Sequence, residues 1–258
     1  IKLEFTVILS VLACAFSIPF PNENKRLPVP WIAQGFTAKP GQIPYQLNLE
    51  QENDSRCGAV LISNDIALTA AHCTYMELPS SFKVIAGTTY RTEHDGAAVV
   101  SVDRIVEHPK YNDLTQEFDV AVLFLSKKLT YTKTVSAIAL ANADERIPEG
   151  AIATVSGWGY EDDINDKPEN LKFDNQAIWE ESKCHAFVAQ YDPFEGPIFC
   201  SGDKTKSAGP CSGDSGGPLV YKNKLFGIAS IGYGCGVAPN VFASVPGLRS
   251  WIASVTKI

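Results

Sequence analysis

The chain has 258 residues, of which 45% are hydrophobic and 20% are charged, and its formal net charge at pH 7 is -7. This composition is that of an ordinary globular protein, long enough for one large all-β unit or two small domains. The acidic balance argues against nucleic acid and anionic membranes as partners, because both would repel a negatively charged surface.

The first predicted element is a secretory signal peptide. Lys2 precedes an apolar run from Phe5 to Phe16 that ends in small residues, and about twelve apolar residues are too few to span a bilayer. A buried core strand is the alternative for such a run. We predict that residues 1–17 are a signal, that the protein is secreted and extracellular, and that it has no membrane segment.

Short β-like runs alternate with turn residues from Ile43 onward, and the chain contains 19 glycines and 16 prolines. This spacing predicts an all-β sandwich or barrel. Helical patterns are confined to residues 180–187 and the C-terminal segment around Leu248 and Ile252, and the polar run 161–170 is the clearest loop. The predicted strands are Tyr45–Leu49, Ala59–Ile62, Phe82–Ala86, Ala98–Val106, Val120–Leu125, Ala151–Trp158, Leu219–Tyr221 and Leu225–Ser230.

Seven cysteines are present, and removal of Cys14 with the signal leaves an even set in an exported chain, which predicts three disulfides. Six cysteines can pair in many ways, although pairing of consecutive cysteines would close the shortest loops. Metal ligation is the alternative, and it is disfavoured because the chain has no Cys-x-x-Cys or His-x-x-His spacing. The six are Cys57, Cys73, Cys184, Cys200, Cys211 and Cys235.

Ser215 is the candidate nucleophile, since it lies in the stretch Cys211-Ser212-Gly213-Asp214-Ser215-Gly216-Gly217-Pro218. Glycines on both sides permit a tight loop whose backbone N–H groups point at one spot, as stabilisation of an oxyanion requires. The pattern Gly-x-Ser-x-Gly also fits the nucleophile elbow of α/β-hydrolases, so the motif alone leaves two folds open.

A serine nucleophile needs a base, and His72 is the best candidate because its small neighbours leave the ring uncrowded. For His94, His108 and His185 we predict surface or structural roles. Asp119 begins an otherwise apolar run, and a buried lone carboxylate costs several kcal/mol, so it should have a partner. The alternative is a residue at a strand start that faces solvent.

The order of these residues along the chain separates the two folds. An α/β-hydrolase places its histidine after the serine, whereas every histidine here precedes Ser215. The order His72, Asp119, Ser215 is that of the chymotrypsin-like serine proteases. The chain resembles this family from residue 32 to residue 258, through Leu68-Thr69-Ala70-Ala71-His72-Cys73, Phe118-Asp119-Val120-Ala121-Val122-Leu123, Gly157-Trp158-Gly159 and Gly213-Asp214-Ser215-Gly216-Gly217-Pro218.

The resemblance implies two packed six-stranded antiparallel β-barrels with a C-terminal helix and an active site between the barrels. His72, Asp119 and Ser215 would form the catalytic triad, and the N–H groups of Gly213 and Ser215 the oxyanion hole. It also implies the disulfides Cys57–Cys73, Cys184–Cys200 and Cys211–Cys235, similar to many arthropod digestive enzymes. No cofactor and no metal are expected.

The resemblance also places the primary specificity pocket. Its floor lies six residues before the nucleophile, at Gly209, its walls contain Gly232 and Asn240, and Ser230 at its edge would assist Asp119. No carboxylate stands at the floor or walls to neutralise a buried arginine or lysine. We expect cleavage after Phe, Tyr, Leu or Trp. The Asn240 amide would narrow the pocket or favour a polar substituent, unless its side chain turns away.

Family members are activated by a cleavage whose new ammonium group pairs with the aspartate before the serine, which is Asp214 here. The matching N-terminus is Ile32, which follows Trp31 rather than a basic residue. Cleavage after Lys25-Arg26 would start the chain at Leu27, five residues too early. We predict a propeptide over residues 18–31, removed at Trp31–Ile32 by the enzyme itself or a similar protease, and a protease domain over residues 32–258.

The expected partners are protein or peptide substrates and protein protease inhibitors, and the expected state is a monomer. Asn53-Asp54-Ser55 is a glycosylation sequon in a polar loop. A catalytically silent homologue with a binding or regulatory role is the alternative function. Only the unusual activation segment favours that alternative.

Overall fold

The computed structural model describes residues 35–160, 167–191, 194–202, 209–233 and 239–258. The predicted signal peptide, the propeptide, Trp31, Ile32, Cys14 and Cys235 lie outside the described residues, as does the segment 161–166 of the predicted polar loop.

The described chain is built mostly of strands, as predicted, with a helix near each of two positions where helical patterns were found. A 3₁₀ turn at Ala71–Cys73 and a second at Pro79–Ser81 follow the fourth strand. The elements are β1 Phe36–Thr37, β2 Gln46–Gln51, β3 Asp54–Leu61, β4 Ile66–Thr69, β5 Phe82–Ala86, β6 Ala98–Glu107, β7 Ala121–Leu125, β8 Ala139–Leu140, β9 Ile152–Gly157, β10 Lys172–Ala177, α1 Glu181–Val188, β11 Ile198–Ser201, β12 Pro218–Tyr221, β13 Lys224–Gly232, β14 Asn240–Ser244 and α2 Val245–Thr256.

The first half of the chain forms a closed antiparallel barrel in the order β2-β3-β4-β7-β6-β5. In β6 the buried Val100 and Val102 alternate with exposed residues, because successive side chains of a strand point to opposite faces. β7 is apolar throughout and lies in the barrel wall beside β4. The barrel interior is filled by fully buried side chains that include Leu47, Leu49, Leu61, Leu68, Ile85 and Leu123.

The strands of the second half, together with β1 from the start of the described chain, form one eight-stranded sheet in the order β1-β10-β9-β12-β13-β14-β11, with β8 paired in parallel to β13. The all-β class with two packed units and a C-terminal helix is therefore confirmed. The second unit differs from the expected six-stranded barrel, because the short strands β1 and β8 add to its sheet and the described strands run from β1 to β11 as an open path.

The C-terminal helix α2 begins where its sequence supplies a cap. Ser244 accepts a hydrogen bond from the N–H of Gly247 (3.3 Å), and Pro246 stands in the first turn, where a missing N–H costs nothing. Leu248 and Ile252 are buried in the core and Trp251 packs beside them, so α2 covers the barrels from outside. Neither helix in the described ranges is long and apolar enough to cross a membrane.

Two buried side-chain hydrogen bonds hold the halves together. The Ser156 hydroxyl in β9 donates to Oε1 of Gln46 in β2 over 2.8 Å. The indole N–H of Trp158 donates to the carbonyl oxygen of Thr89 over 3.1 Å. The sheets are thus fixed against one another beside the loop that carries Ser215.

Candidate active site

His72 lies in the 3₁₀ turn that follows β4, and the next residue, Cys73, is bonded to Cys57 in β3. Ala70 and Ala71 are fully buried, so the turn packs tightly against the barrel while 24% of the His72 side chain stays accessible. The small residues that singled out His72 in the sequence therefore anchor its backbone and leave its ring facing the cleft.

Asp119 is only 1% exposed, and three donors surround its carboxylate. Oδ1 accepts the backbone N–H of His72 at 2.9 Å, and Oδ2 lies 2.7 Å from His72 Nδ1. The Ser230 hydroxyl donates to Oδ2 at 2.6 Å. These contacts supply the partners that burial of a carboxylate requires, and they hold the ring so that its other nitrogen is free for a second partner.

Ser215 lies in a tight loop before β12, and its carbonyl oxygen accepts the N–H of Gly58 from the first barrel at 2.7 Å. Gly213 has a φ of +99°, which a residue with a side chain rarely adopts. Within the described residues, no hydrogen bond uses the N–H of Gly213 or of Ser215. Both N–H groups are thus available to an oxygen outside the protein.

Asp214 is 3% exposed, and its carboxylate accepts the N–H of Gly159 at 2.7 Å and that of Cys211 at 3.0 Å. Burial raises the pKa of Asp214 to about 6, and the two N–H groups and the Lys167 ammonium counter only part of that shift. The carboxylate therefore lies in a site suited to a cation. Ile32, the predicted cation, is outside the described residues.

One cleft of about 270 Å³ brings five of the predicted site residues together. His72, Ser215, Ser230, Gly232 and Asn240 all line it. The rest of its lining combines the polar Gln116 and Ser212 with Cys211 and with apolar residues, which are Pro210, Ala229, Ile231, Val241 and Phe242. His72 and Ser215 therefore face the same space as the predicted specificity pocket, while the buried Asp119 contacts His72.

Gly209 does not line this cleft and instead borders a smaller adjoining cavity. Asn240 Nδ2 lies 2.3 Å from where a Cβ on Gly209 would stand, so the Asn240 amide occupies the space that a side chain at position 209 would take. The role of Gly209 as the pocket floor stays a prediction. The Asn240 side chain is 1% exposed and does not turn away into solvent.

The structure contains the disulfides Cys57–Cys73 and Cys184–Cys200, the pairs that the resemblance implies. Cys211 is also disulfide-bonded. The ligand atoms of Cys57, Cys73 and His72 lie within 4.8 Å of one another, but the two sulfurs are bonded to each other and are not thiolate ligands.

The other three described histidines lie outside the cleft. The His94 ring nitrogen Nε2 is 2.9 Å from a carboxylate oxygen of Glu50. His108 stacks on Phe118 with 4.8 Å between ring centroids, and burial lowers its pKa. His185 lies in α1.

A model of the family described as Trypsin matches residues 32–252. The chain belongs to the trypsin family. The matched span contains the cleft and every residue of the candidate active site.

Curated trypsin-family relatives match the chain along nearly its whole length. Trypsin beta of Drosophila erecta is 34% identical, and the match covers 97% of this chain and 98% of that protein. Trypsin alpha-4 of Lucilia cuprina is 35% identical, and the match covers 99% of each.

Among solved trypsin-family folds, human heparin binding protein is similar, with a TM-score of 0.78 and 26% identity. The match covers 87% of this chain and 96% of that one.

Two site residues escaped sequence reasoning. Gln176 in β10 and Ser201 in β11 are buried beside Asn240, and the Gln176 amide oxygen accepts the Ser201 hydroxyl at 2.5 Å. Neither strand was predicted from its sequence, since β10 reads Lys-Phe-Asp-Asn-Gln-Ala and β11 has four residues. The only sequence signal for Gln176 and Ser201 is that each polar residue stands next to an apolar residue or a cysteine. The same pattern is found in many surface strands, so it does not indicate a site.

Proposed function

We propose that the protein is a secreted serine endopeptidase that hydrolyses peptide bonds through a Ser, His and Asp triad and an acyl-enzyme. The observation that carries this proposal is the array of His72, Asp119 and Ser230, which faces Ser215 across one cleft of a trypsin-family fold.

In the proposed reaction, His72 takes the Ser215 hydroxyl proton as the serine oxygen attacks the substrate carbonyl carbon. The carbonyl oxygen becomes an oxyanion and accepts the N–H groups of Gly213 and Ser215. Collapse of this tetrahedral intermediate breaks the peptide bond, and His72 gives its proton to the leaving amine. Water then attacks the acyl carbon while His72 takes a proton from it. The ester bond to Ser215 breaks, His72 returns the proton to the serine oxygen, and the acid product leaves. Asp119 fixes the His72 tautomer and stabilises the imidazolium.

For substrate choice, we propose large apolar residues before the scissile bond. The similar proteins are named trypsin, but that name describes those proteins. In this chain the predicted pocket positions are Gly209, Gly232 and Asn240, and none of them provides a carboxylate. A buried arginine or lysine would lose its hydration without a counter-charge. The apolar lining from Ala229, Ile231 and nearby side chains favours an aromatic or aliphatic group instead.

We also propose the activation scheme drawn from the sequence. Cleavage at Trp31–Ile32 would free an ammonium group for Asp214, whose buried carboxylate accepts only N–H groups among the described residues. The leader 1–17, propeptide 18–31, protease domain 32–258, extracellular location, monomeric state and susceptibility to protein inhibitors belong to the same proposal.

A silent homologue that only binds is the competing function. The similar human protein is named for binding heparin, a polyanion, and this chain's net charge of -7 opposes such a ligand. The hydrogen bond of His72 to Asp119, in the cleft that Ser215 also lines, argues for catalysis.

A fluorophosphonate probe tests the enzyme. Protein that begins at Ile32 should be labelled, Ser215→Ala should abolish labelling, and Ser212→Ala, which alters another serine of the same cleft, should not. Absence of labelling after correct processing would favour the silent homologue. N-terminal sequencing of labelled material checks activation, since a start other than Ile32 would contradict the Trp31–Ile32 cleavage.

A further inference from the structure

Asn240, which lines the cleft, has a buried hydrogen-bond acceptor without a partner among the described residues. Asn240 is 1% exposed, and within the described residues its Oδ1 makes no hydrogen bond. Asn240 begins β14 and pairs in register with Gly232 on one side and Ser201 on the other. An unpaired buried carbonyl oxygen costs about 1–3 kcal/mol relative to a paired one. Native proteins rarely retain such a group unless a ligand or water pairs with it.

Neighbouring groups hold the Asn240 amide in one orientation. Its Nδ2 donates to Oε1 of Gln176 at 3.4 Å, and the same oxygen accepts the Ser201 hydroxyl at 2.5 Å. Nδ2 also lies against Gly209, where only a residue without a Cβ leaves room for it. The donor end of the amide is therefore engaged by the protein. Oδ1 is itself buried, and it is the end of the amide that lacks a partner, in a residue that lines the cleft.

The surroundings of this oxygen restrict what that occupant can be. Ala229, Ile231 and Val241 line the cleft together with Asn240, so we expect the part of the occupant that contacts them to be apolar. Its tip should carry a neutral hydrogen-bond donor. Lysine and arginine also end in donors, but one amide oxygen does not replace the hydration of a full charge.

On the basis of the proposed function, we infer that Asn240 determines specificity by accepting the phenolic O–H of a tyrosine before the scissile bond. Phenylalanine fills the same apolar space but leaves Oδ1 buried and unpaired. A site built to bind a hydroxyl discriminates against the analogue that lacks it, because the unmet polar group is then left in the protein. The enzyme should therefore cleave after tyrosine in preference to phenylalanine.

The first test needs no variant. Peptide substrates that differ only by Tyr or Phe before the bond are compared with Ile32-processed enzyme whose active sites are titrated by the fluorophosphonate. We expect kcat/KM to be about tenfold higher for Tyr, which is the ratio given by about 1.4 kcal/mol, near the value of one hydrogen bond. Equal values, or a preference for Phe, would overturn the inference.

Two variants assign the preference to Asn240. Asn240→Leu keeps a similar shape without an acceptor and should reverse the order, with Phe cleaved faster than Tyr. Asn240→Asp places a carboxylate at the same point and should raise kcat/KM after Lys or Arg by at least about tenfold. Asn142→Leu, at an exposed asparagine outside the cleft, is the matched control and should preserve the wild-type ratio.

The outcomes separate this inference from the proposed function. An unlabelled processed protein refutes the enzyme itself, and a labelled wild type that cleaves mainly after Lys or Arg refutes its apolar preference. A labelled enzyme that prefers Tyr, with a ratio unchanged by Asn240→Leu, refutes only the role of Asn240. Failure of Asn240→Asp to gain cleavage after basic residues also counts against that role.

Discussion

Asp119 and Asp214 are both buried carboxylates in the site, but they have different partners. Asp119 faces the His72 ring and the Ser230 hydroxyl, whereas Asp214 accepts only two backbone N–H groups among the described contacts. Burial consequently raises the pKa of Asp214 to about 6 from its usual 3.8. An aspartate in this state makes folding depend on pH.

We predict that the unprocessed chain loses stability as pH rises from about 4 to about 6. In this window the unfolded Asp214 is ionised while the folded one keeps its proton, so the folded state binds more protons and is favoured at the acid end. The loss is on the order of 3 kcal/mol for a shift of about two pKa units. Urea unfolding of the Ser215→Ala precursor at several pH values measures it.

The variant Asp214→Asn, in the same precursor, should remove that part of the pH dependence. Asp103→Asn, which changes an exposed aspartate of β6, is the matched control and should leave the slope unchanged. Identical slopes for Asp214→Asn and its parent would show that Asp214 is ionised across this range.

The candidate triad stands out in the sequence because each member has a local signature. Ser215 has its glycines, His72 its small neighbours, and Asp119 its place at the head of an apolar run. The filling of the Gly209 position by Asn240 could not be predicted, because it depends on register across β11, β13 and β14. The residue pattern of a single strand does not determine its register with the neighbouring strands.

At the scale of elements, short β-like runs between turn residues predicted β5, β6, β7 and β13 to within two residues of their observed ends. β4, β10, β11 and β14 escaped because they are short or carry polar side chains on half-buried faces. Their strand conformation depends on hydrogen bonds to neighbours already in the sheets, which is tertiary information.

The two described disulfides offer a matched experiment, since each spans a sequence separation of 16. Cys57–Cys73 ties β3 to the turn of His72, whereas Cys184–Cys200 ties α1 to β11. Replacing either pair by alanines should cost about 3 kcal/mol of unfolding free energy, because loops of equal length release similar chain entropy.

Removal of the two disulfides should have different effects on catalytic turnover. We predict that Cys57→Ala with Cys73→Ala lowers kcat per labelled active site at least about tenfold, through displacement of His72. Cys184→Ala with Cys200→Ala should reduce stability alone. Urea unfolding and titrated turnover at a temperature where both variants are folded measure the two effects, and equal losses of turnover would contradict the assignment.

For the whole molecule, the arrangement of the two sheets determines the site. His72 and Asp119 belong to the first barrel, while Ser215 and Ser230 belong to the second sheet. Gly58 lies at the contact between them, where its N–H donates to Ser215, and a Cβ on Gly58 would stand 2.9 Å from Cα of Gly217. The atoms nearest to that Cβ position belong to the Gly217 backbone, so rotation of a side chain cannot relieve the clash.

We predict that Gly58→Ala separates the sheets locally and lowers kcat/KM by at least about tenfold, because misplaced reacting groups lose their catalytic alignment. Gly96→Ala is the control, since it has a positive φ but no atom within 4 Å of its Cβ position. The control should lose a little stability and keep its turnover. Full activity in Gly58→Ala would show that the contact tolerates the added methyl group.

The split of the site between sheets has a consequence for synthesis. A ribosome makes the first barrel before the second sheet, so a nascent chain carries the proposed base and its carboxylate long before it carries the serine. Even a complete chain gains Ser230 beside Asp119 only after the halves dock. If the proposed activity is correct, a half-made or misassembled molecule lacks a complete site and cannot digest its neighbours, so the fold itself would restrain the enzyme independently of the proposed propeptide.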